Sequence, residues 1–175
     1  MNHADHVALI REGVIGGGTL WADLGSGGGA FTLALADLLG ATGTIQSVDI
    51  DESALRRQAA EMSARFPETA LVQVAADFRQ PLPLPPLDGM LMANSLHFVR
   101  DKVPVMNGLL SRLRAGGRFV LVEYDAARGN PWVPFPITFE GWRDLAAEVG
   151  LTETRRLASV PSRFLGSIYS ALSLR

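Results

Sequence analysis

Cysteine is absent from this chain, which excludes disulfides, thiolate metal sites and a cysteine nucleophile, and leaves the compartment open. Histidine is scarce as well. The three copies, at positions 3, 6 and 97, are too far apart in sequence to form a metal-binding motif. There is no excess of positive charge: the formal net charge is -2 and the isoelectric point about 5.9, so no global field draws the chain to nucleic acid or anionic lipid. No apolar run approaches the ~20 residues needed to span a bilayer. The first residues, Met-Asn-His-Ala-Asp-His, lack the basic region and apolar core of a signal peptide. These absences set the expectation of a cytoplasmic enzyme without a nucleic-acid partner or a membrane span. A length of 175 residues reads as one domain, large enough to bury roughly 70% of its extended surface.

What the chain does have is glycine in one telling place. Residues 21–29 read Trp-Ala-Asp-Leu-Gly-Ser-Gly-Gly-Gly, and the pattern then resumes as Phe31-Thr32-Leu33-Ala34-Leu35-Ala36. That is a strand, a tight glycine turn and a helix, an arrangement that lets backbone approach a small polar ligand. A second apolar stretch, Thr44–Val48, ends in Asp49, 24 positions after Gly25. A carboxylate at the tip of a second strand can accept two hydrogen bonds from vicinal ribose hydroxyls. Together the two features indicate a nucleoside-containing cofactor.

Strand-like and helix-like segments alternate through the first two thirds. A short amphipathic helix is expected at about 5–15, a strand at 19–24, a helix at 28–38 and a strand at 44–48. Asp51 is placed to cap a helix over 52–65, with Leu55, Ala59, Met62 and Phe66 on one face. Strands follow at 71–75 and 87–93. Asp101 is placed to cap a helix over 102–113, which Arg114-Ala115-Gly116-Gly117 ends, and 118–123 is the fifth strand. The alternation and the near-continuous apolar strands predict an α/β fold with parallel strands and right-handed crossovers. Prolines at 131, 134 and 136 mark a long loop before a last helix at 139–149. Segments 152–159 and 165–174 are too close for a crossover helix, so they are expected to pair as an antiparallel hairpin.

The glycine pattern alone also admits a nicotinamide dinucleotide. Gly25, Gly27 and Ala30 satisfy the looser dinucleotide fingerprint, and Asp49 fits its ribose carboxylate. Against it stand the further glycines at 28 and 29, Asp23 before the turn, the lack of a separate substrate domain and the terminal hairpin. A nucleoside-binding regulatory protein without catalysis is a third reading.

The chain resembles the class I S-adenosylmethionine-dependent methyltransferases, and more closely the small bacterial members related to the ubiquinone/menaquinone methyltransferase group. Ala22–Gly29 is similar to the family's first motif, with Asp23, Gly25, Gly27 and Gly29 in place, and Asp49 to its ribose-binding acid. Ala76-Asp77-Phe78 is similar to the adenine-side motif, Asn94-Ser95-Leu96-His97-Phe98 to the segment after the fourth strand, and Leu113–Gly117 to the turn before the fifth. The resemblance implies a Rossmann-like three-layer sandwich, with a seven-stranded mostly parallel sheet in the order 3-2-1-4-5-7-6 and strand 7 antiparallel. It implies methyl transfer from S-adenosylmethionine, giving S-adenosylhomocysteine, to an oxygen, nitrogen or carbon nucleophile of a small molecule.

On this reading Asp23 holds the glycine-turn amides, and side chains at Gly25, Gly27 or Gly29 would fill space needed by the methionine portion. Ser26 lies in the same turn. Asp49 accepts from the ribose, Ile50 offers an apolar face to the adenine, Asp77 accepts from its exocyclic amine and Phe78 packs against the ring. Asn94 and Ser95 border the amino-acid end of the donor. His97 can take a proton from an oxygen or nitrogen nucleophile, since a neutral imidazole is a base suited to near-neutral pH. Acceptor contacts are expected from Tyr124, Arg128, Asn130, Trp132 and Phe135, and more weakly from Arg163, Phe164 and Tyr169. Asn130-Pro131-Trp132 is only superficially similar to the tetrapeptide of amino-methylating DNA enzymes, because it follows the fifth strand and lacks the initial Asp. The short N-terminal helix either covers the donor, with His3 and His6 at its mouth, or leaves these residues in a disordered terminus. Its apolar face is equally suited to packing within the chain or across a homodimer or partner subunit.

Overall fold

The computed structural model describes residues 1–162 and 164–175. Apolar side chains alternate along the central strands and split the core into two halves. β1 (Leu20–Leu24), β2 (Thr44–Asp49), β4 (Leu87–Ala93) and, from Phe119 onward, β5 (Leu113–Tyr124) are largely buried on both faces. Trp21, Leu91, Val120 and Val122 face one side, where α1 (His3–Val14), α2 (Ala30–Leu39) and Met62 of α3 (Glu52–Arg65) cover them. Ala22, Met90, Met92, Phe119 and Leu121 face the other side, against α4 (Lys102–Leu110) and α5 (Phe139–Glu148). This is the period-two alternation of a strand sandwiched between helical layers.

The sheet order is β3-β2-β1-β4-β5-β7-β6, with β3 at Ala70–Ala75, β6 at Thr152–Pro161 and β7 at Ser167–Leu174. β7 runs antiparallel to both β5 and β6, and the other pairings are parallel. The expected Rossmann-like sandwich and its strand order are therefore found. The edge strand β6 carries Arg155 and Arg156 and ends at Pro161, features that discourage further pairing. The register Leu24↔Val48, with Asp23↔Leu91 and Ala93↔Val122, brings the ends of β1, β2, β4 and β5 to one edge. Ligands of open α/β sheets bind at such an edge.

Helix boundaries follow from their caps. Asn2 and Asp5 form a reciprocal capping box, so α1 starts at His3, before the expected boundary, and both His3 and His6 lie in helix rather than in a disordered terminus. Asp51 accepts from the amides of Ser53 and Ala54, as expected for the cap of α3. Asp101 sits at the N-cap of α4 but makes no side-chain capping bond. α4 stops at Leu110, well short of 113, because the Leu87 amide donates to the Arg112 carbonyl at 2.7 Å and Leu113 pairs with Leu87. β5 therefore starts earlier than expected, and a register shift between Leu87 and Gly89 absorbs the glycine turn at 116–117. No helix is long and apolar enough to cross a membrane, among the described residues.

Two glycines should respond to alanine with opposite signs. A Cβ at Gly89 would overlap the ring of the fully buried Trp21, so Gly89→Ala is expected to destabilise the fold by about 1–3 kcal/mol. A Cβ at Gly108 in α4 meets nothing, so Gly108→Ala should stabilise by about 0.5–1 kcal/mol. Urea unfolding of the two variants beside the parent checks both signs.

Candidate functional site

Between β1 and α2 the chain turns on glycines with positive φ, 75° at Gly25, 51° at Gly27 and 87° at Gly29. With Ser26 its one side chain, the turn is held largely from outside. The amides of Gly25 and Ser26 donate to the Val48 carbonyl at 2.8 and 3.0 Å, and the Gly27 amide donates to Asp49 Oδ2 at 2.7 Å. The other Asp49 oxygen accepts from the Asp51 amide at 2.8 Å. The expected role of Asp23 in holding this turn thus falls to Asp49. A Cβ at Gly27 or Gly28 would meet open space, whereas one at Gly25 would lie 2.6 Å from Ser95 Cβ. Gly29 departs from expectation. A side chain there would collide with Gln58 of α3, and Gly29 lines neither cavity described below.

Beneath the turn runs a buried chain of polar side chains. Thr32 Oγ1 donates to Asp23 Oδ2 at 2.6 Å, Gln58 Nε2 donates to Thr32 Oγ1 at 2.8 Å, and Ser47 Oγ donates to Gln58 Oε1 at 2.6 Å. Ser47 has then spent its only proton, so Ser26, 2.7 Å away, is the donor in the next link. Every proton in the chain points from Ser26 toward Asp23. Burial, opposed in part by the Thr32 hydrogen bond and reinforced by the Asp49 charge, pushes the Asp23 carboxyl up to about 7. Sequence reasoning missed Thr32, Ser47 and Gln58. The available signal was Gln58 lying within the otherwise apolar face of α3.

Two adjoining cavities of about 400 and 440 Å³ open at this edge and share Gly25, Gly27 and Asn94. The first is also lined by Asp49, Ile50, Asp77, Phe78, Arg79, Ser95 and Phe98. The second adds His6, Asp23, Ser26 and Phe31, so α1 covers part of it through His6. His3 is turned away and pairs with Asp37 at 2.9 Å. Asn94 has a φ of 52°, and its buried Oδ1 has no partner among the described residues. Ser95 Oγ donates to the Leu24 carbonyl at 2.7 Å, tying β4 to β1. Ile50 is 69% exposed at the mouth. Both oxygens of Asp77 accept from the Arg79 guanidinium at 2.8–3.0 Å, which holds the Asp77 carboxyl below its ordinary range.

His97 lies beside this cleft but does not line it. It is 3% exposed, under the Phe98 ring at 4.3 Å, and its Nδ1 is 2.9 Å from Glu123 Oε2. Glu123 is fully buried at the end of β5 and also accepts from the amides of His97 and Tyr124, each at 3.1 Å. Glu123 was missed from sequence, although a carboxylate inside the run Phe119–Tyr124 is unusual enough to have marked it.

The expected acceptor residues divide. Half-buried Tyr124 and exposed Phe164 have ring centroids 6.0 Å apart, and Phe164 and Trp132 are 6.1 Å apart. Asn130 Oδ1 accepts from the amides of Trp132 and Val133, so it shapes the loop. Phe135 is covered by the Arg100 guanidinium at 4.6 Å. Tyr169 is buried in the core, with its hydroxyl on the Ile137 carbonyl at 3.1 Å, which removes it from the acceptor candidates. Arg128 is exposed and lines neither cavity of the cleft. Arg163 lies outside the described residues.

The raised Asp23 carboxyl has a consequence for stability. The native state binds a proton there that the unfolded chain, near 3.8, has already released, so stability falls as pH rises from about 4 to 7 and levels above that. Asp23→Asn should abolish this contribution, whose slope is at most about 1.4 kcal/mol per pH unit. Unfolding free energies of parent and variant at pH 5 and pH 8 test it: a difference between the two proteins that is independent of pH overturns the assignment.

Comparison with known proteins gives the geometry a family. A family model described as a methyltransferase domain matches residues 17–154. No curated protein sequence matches the chain. Among solved structures, the N-methyltransferase NodS from Bradyrhizobium japonicum WM9, in complex with S-adenosylhomocysteine, superposes with a TM-score of 0.79 at 19% identity, covering 98% of this chain and 86% of that one. A SAM-dependent methyltransferase from Aquifex aeolicus gives 0.74 at 16% identity, covering 97% of this chain and 89% of that one. Magnesium protoporphyrin IX methyltransferase from Synechocystis PCC 6803, with bound SAM, gives 0.76 at 17% identity, covering 99% and 79%. Identities this low establish the shared fold, and the family match establishes membership. The chain belongs to the methyltransferase-domain family and is built on the class I S-adenosylmethionine-dependent methyltransferase fold.

Proposed function

We propose that this protein transfers a methyl group from S-adenosylmethionine to an oxygen, nitrogen or carbon nucleophile of a small molecule. The observation that carries the reading is Asn94. At the junction of the two cavities its buried side-chain Oδ1 has no partner among the described residues, beside Gly27, whose Cβ position is open. A buried acceptor left without a donor costs about 1–3 kcal/mol, and the ammonium of an amino-acid ligand would satisfy it. The residues present therefore fit the donor. Asn94 would hold its amino-acid end and Asp49 its ribose, with Ile50, Asp77 and Phe78 about the adenine and Gly25, Ser26 and Gly27 under the methionine portion.

Bound S-adenosylmethionine supplies a methyl group already activated on a sulfonium sulfur. The protein's task is then to align a nucleophile and exclude water. For an oxygen or nitrogen acceptor, His97 receives the proton. With Nδ1–H donated to the Glu123 carboxylate, the lone pair lies on Nε2, the base-and-orienter arrangement of activated nucleophiles. Because His97 is buried under Phe98, this role requires the exposed Phe98 ring to swing aside. We further place the chain beside the small bacterial members related to the ubiquinone/menaquinone methyltransferase group, which it resembles in sequence. The sheet draws on residues 20–174, which supports reading 1–175 as a single domain.

Calorimetric titration with S-adenosylhomocysteine, with NADH in parallel, tests the donor assignment. Saturable binding of the former alone is expected, and binding of NADH alone overturns it. Asp49→Ala should weaken S-adenosylhomocysteine by about tenfold or more, the loss of hydrogen bonds to a charged group. His97→Gln should lower kcat on an identified acceptor more than it lowers donor affinity. Equal losses in both assign His97 to donor positioning or folding instead.

A further inference from the structure

We propose that Tyr124, Phe164 and Trp132 form the acceptor site, and that it takes a flat, largely apolar ring system bearing a hydroxyl or amine. The inference rests on the methyltransferase reading and adds the class of acceptor to it. Seven large hydrophobic residues are exposed among the described residues, and three of them are the aromatics Phe98, Trp132 and Phe164, at 55%, 68% and 51%. They are not scattered. Phe98 lines the donor cavity and packs on His97, His97 meets the edge of Tyr124 at 5.8 Å, and Tyr124, Phe164 and Trp132 follow at about 6 Å spacings. The aromatic track thus begins in the cleft and continues outward from it.

Trp132 is presented rather than left loose. Its amide and that of Val133 are caught by Asn130 Oδ1, Pro131 and Pro134 stiffen the loop, and Val133 is buried as its anchor. A rigid exposed tryptophan loses little conformational entropy on binding a ligand. The rings stand at 47° and 76° to one another, which makes a notch with faces and edges rather than a flat surface. Such a notch suits a planar ring, since aromatic pairs favour tilted and edge-to-face contact at these centroid distances. The Tyr124 hydroxyl supplies the polar point. Burial and the neighbouring Glu123 charge raise its pKa, so it stays neutral and can donate to or accept from a ligand hydroxyl or amine.

The three tryptophans make a direct test. Trp21 and Trp142 are fully buried, so Trp132 is the fluorophore open to a surface ligand. The full chain, first saturated with S-adenosylhomocysteine by calorimetry, is titrated with 2-naphthol and with decahydro-2-naphthol, which keeps the carbon skeleton and hydroxyl but is not planar. Saturable quenching and heat are expected from 2-naphthol, with affinity about tenfold above that of the reduced alcohol. Trp132→Ala and Phe164→Leu should each weaken 2-naphthol by about threefold to tenfold, the worth of one ring contact. Equal affinity for the two alcohols overturns the proposal, as does the absence of saturation. So does shielding of Trp132 by phosphatidylcholine vesicles or by raised protein concentration alone, which would assign the patch to a lipid surface or a second copy of the chain. Failure to bind S-adenosylhomocysteine in the first step counts against the methyltransferase reading itself, whereas donor binding without 2-naphthol binding counts against the acceptor site only.

Discussion

A turn built mostly from glycine can approach a ligand closely because it has few side chains, and for the same reason it does little to hold itself in place. Here the holding is done by β2. The Val48 carbonyl takes two amides of the turn and the Asp49 carboxylate takes a third, so the pairing of β1 with β2 and the shape of the turn are one constraint. A carboxylate offers about four acceptor sites. Asp49 uses one for Gly27 and one for Asp51, which leaves capacity on both oxygens for hydroxyl donors from the cleft. The same group therefore shapes the turn and, on the proposed reading, also presents the acceptor for the ribose.

Two buried carboxylates lie under the cleft, and they are compensated differently. Asp23, at the end of β1, has a single hydroxyl donor, and its carboxyl is pushed up to about 7. Glu123, at the end of β5, has an imidazole and two backbone amides. From Ser47 inward the polar chain feeding Asp23 is buried, so its geometry there is set by hydrogen bonds that water does not compete for. It fixes Ser26 and Gln58 relative to Thr32, and hence the glycine turn relative to α2 and α3. Glu123 does the matching task on the other side, tying the turn at 96–98 to β5.

The parts legible in sequence are those specified by local chemistry. α3 begins after Asp51, as the cap dictates, and the terminal hairpin follows from two extended segments too close for a crossover. The glycine turn and Asp49 were equally plain. What failed was whatever depends on a neighbour that only the fold brings into place. The residues after Leu110 continue a helical pattern, yet Leu87, more than twenty positions earlier, captures the backbone there as a strand. Asp23 reads as the anchor of the turn until Thr32 is folded over it, and Gly29 reads as ligand-facing until Gln58 arrives beneath it. Tyr169 has the composition of a binding residue, but its alternation within β7 turns it into the core. Such placements are set by register and packing, which residue type alone does not encode.

Methyl transfer asks for alignment more than for acid–base power, so the rigidity of the acceptor side matters as much as that of the donor side. The long loop after β5 is bound to the turn carrying His97 at several points. The Phe135 amide donates to the His97 carbonyl at 3.0 Å, and Lys102 Nζ donates to both the Val99 and Phe135 carbonyls. At its far end Asp125 accepts from the Phe139 amide and pairs with Arg156 at 3.0 Å, while the Arg156 guanidinium lies over Phe139. These ties make the loop a wall continuous with the cleft rather than a flap that closes over it. The aromatic track and the cleft then belong to one framework, joined through Phe98, His97 and Glu123, and on the proposed reading that framework is what aligns an acceptor with the donor.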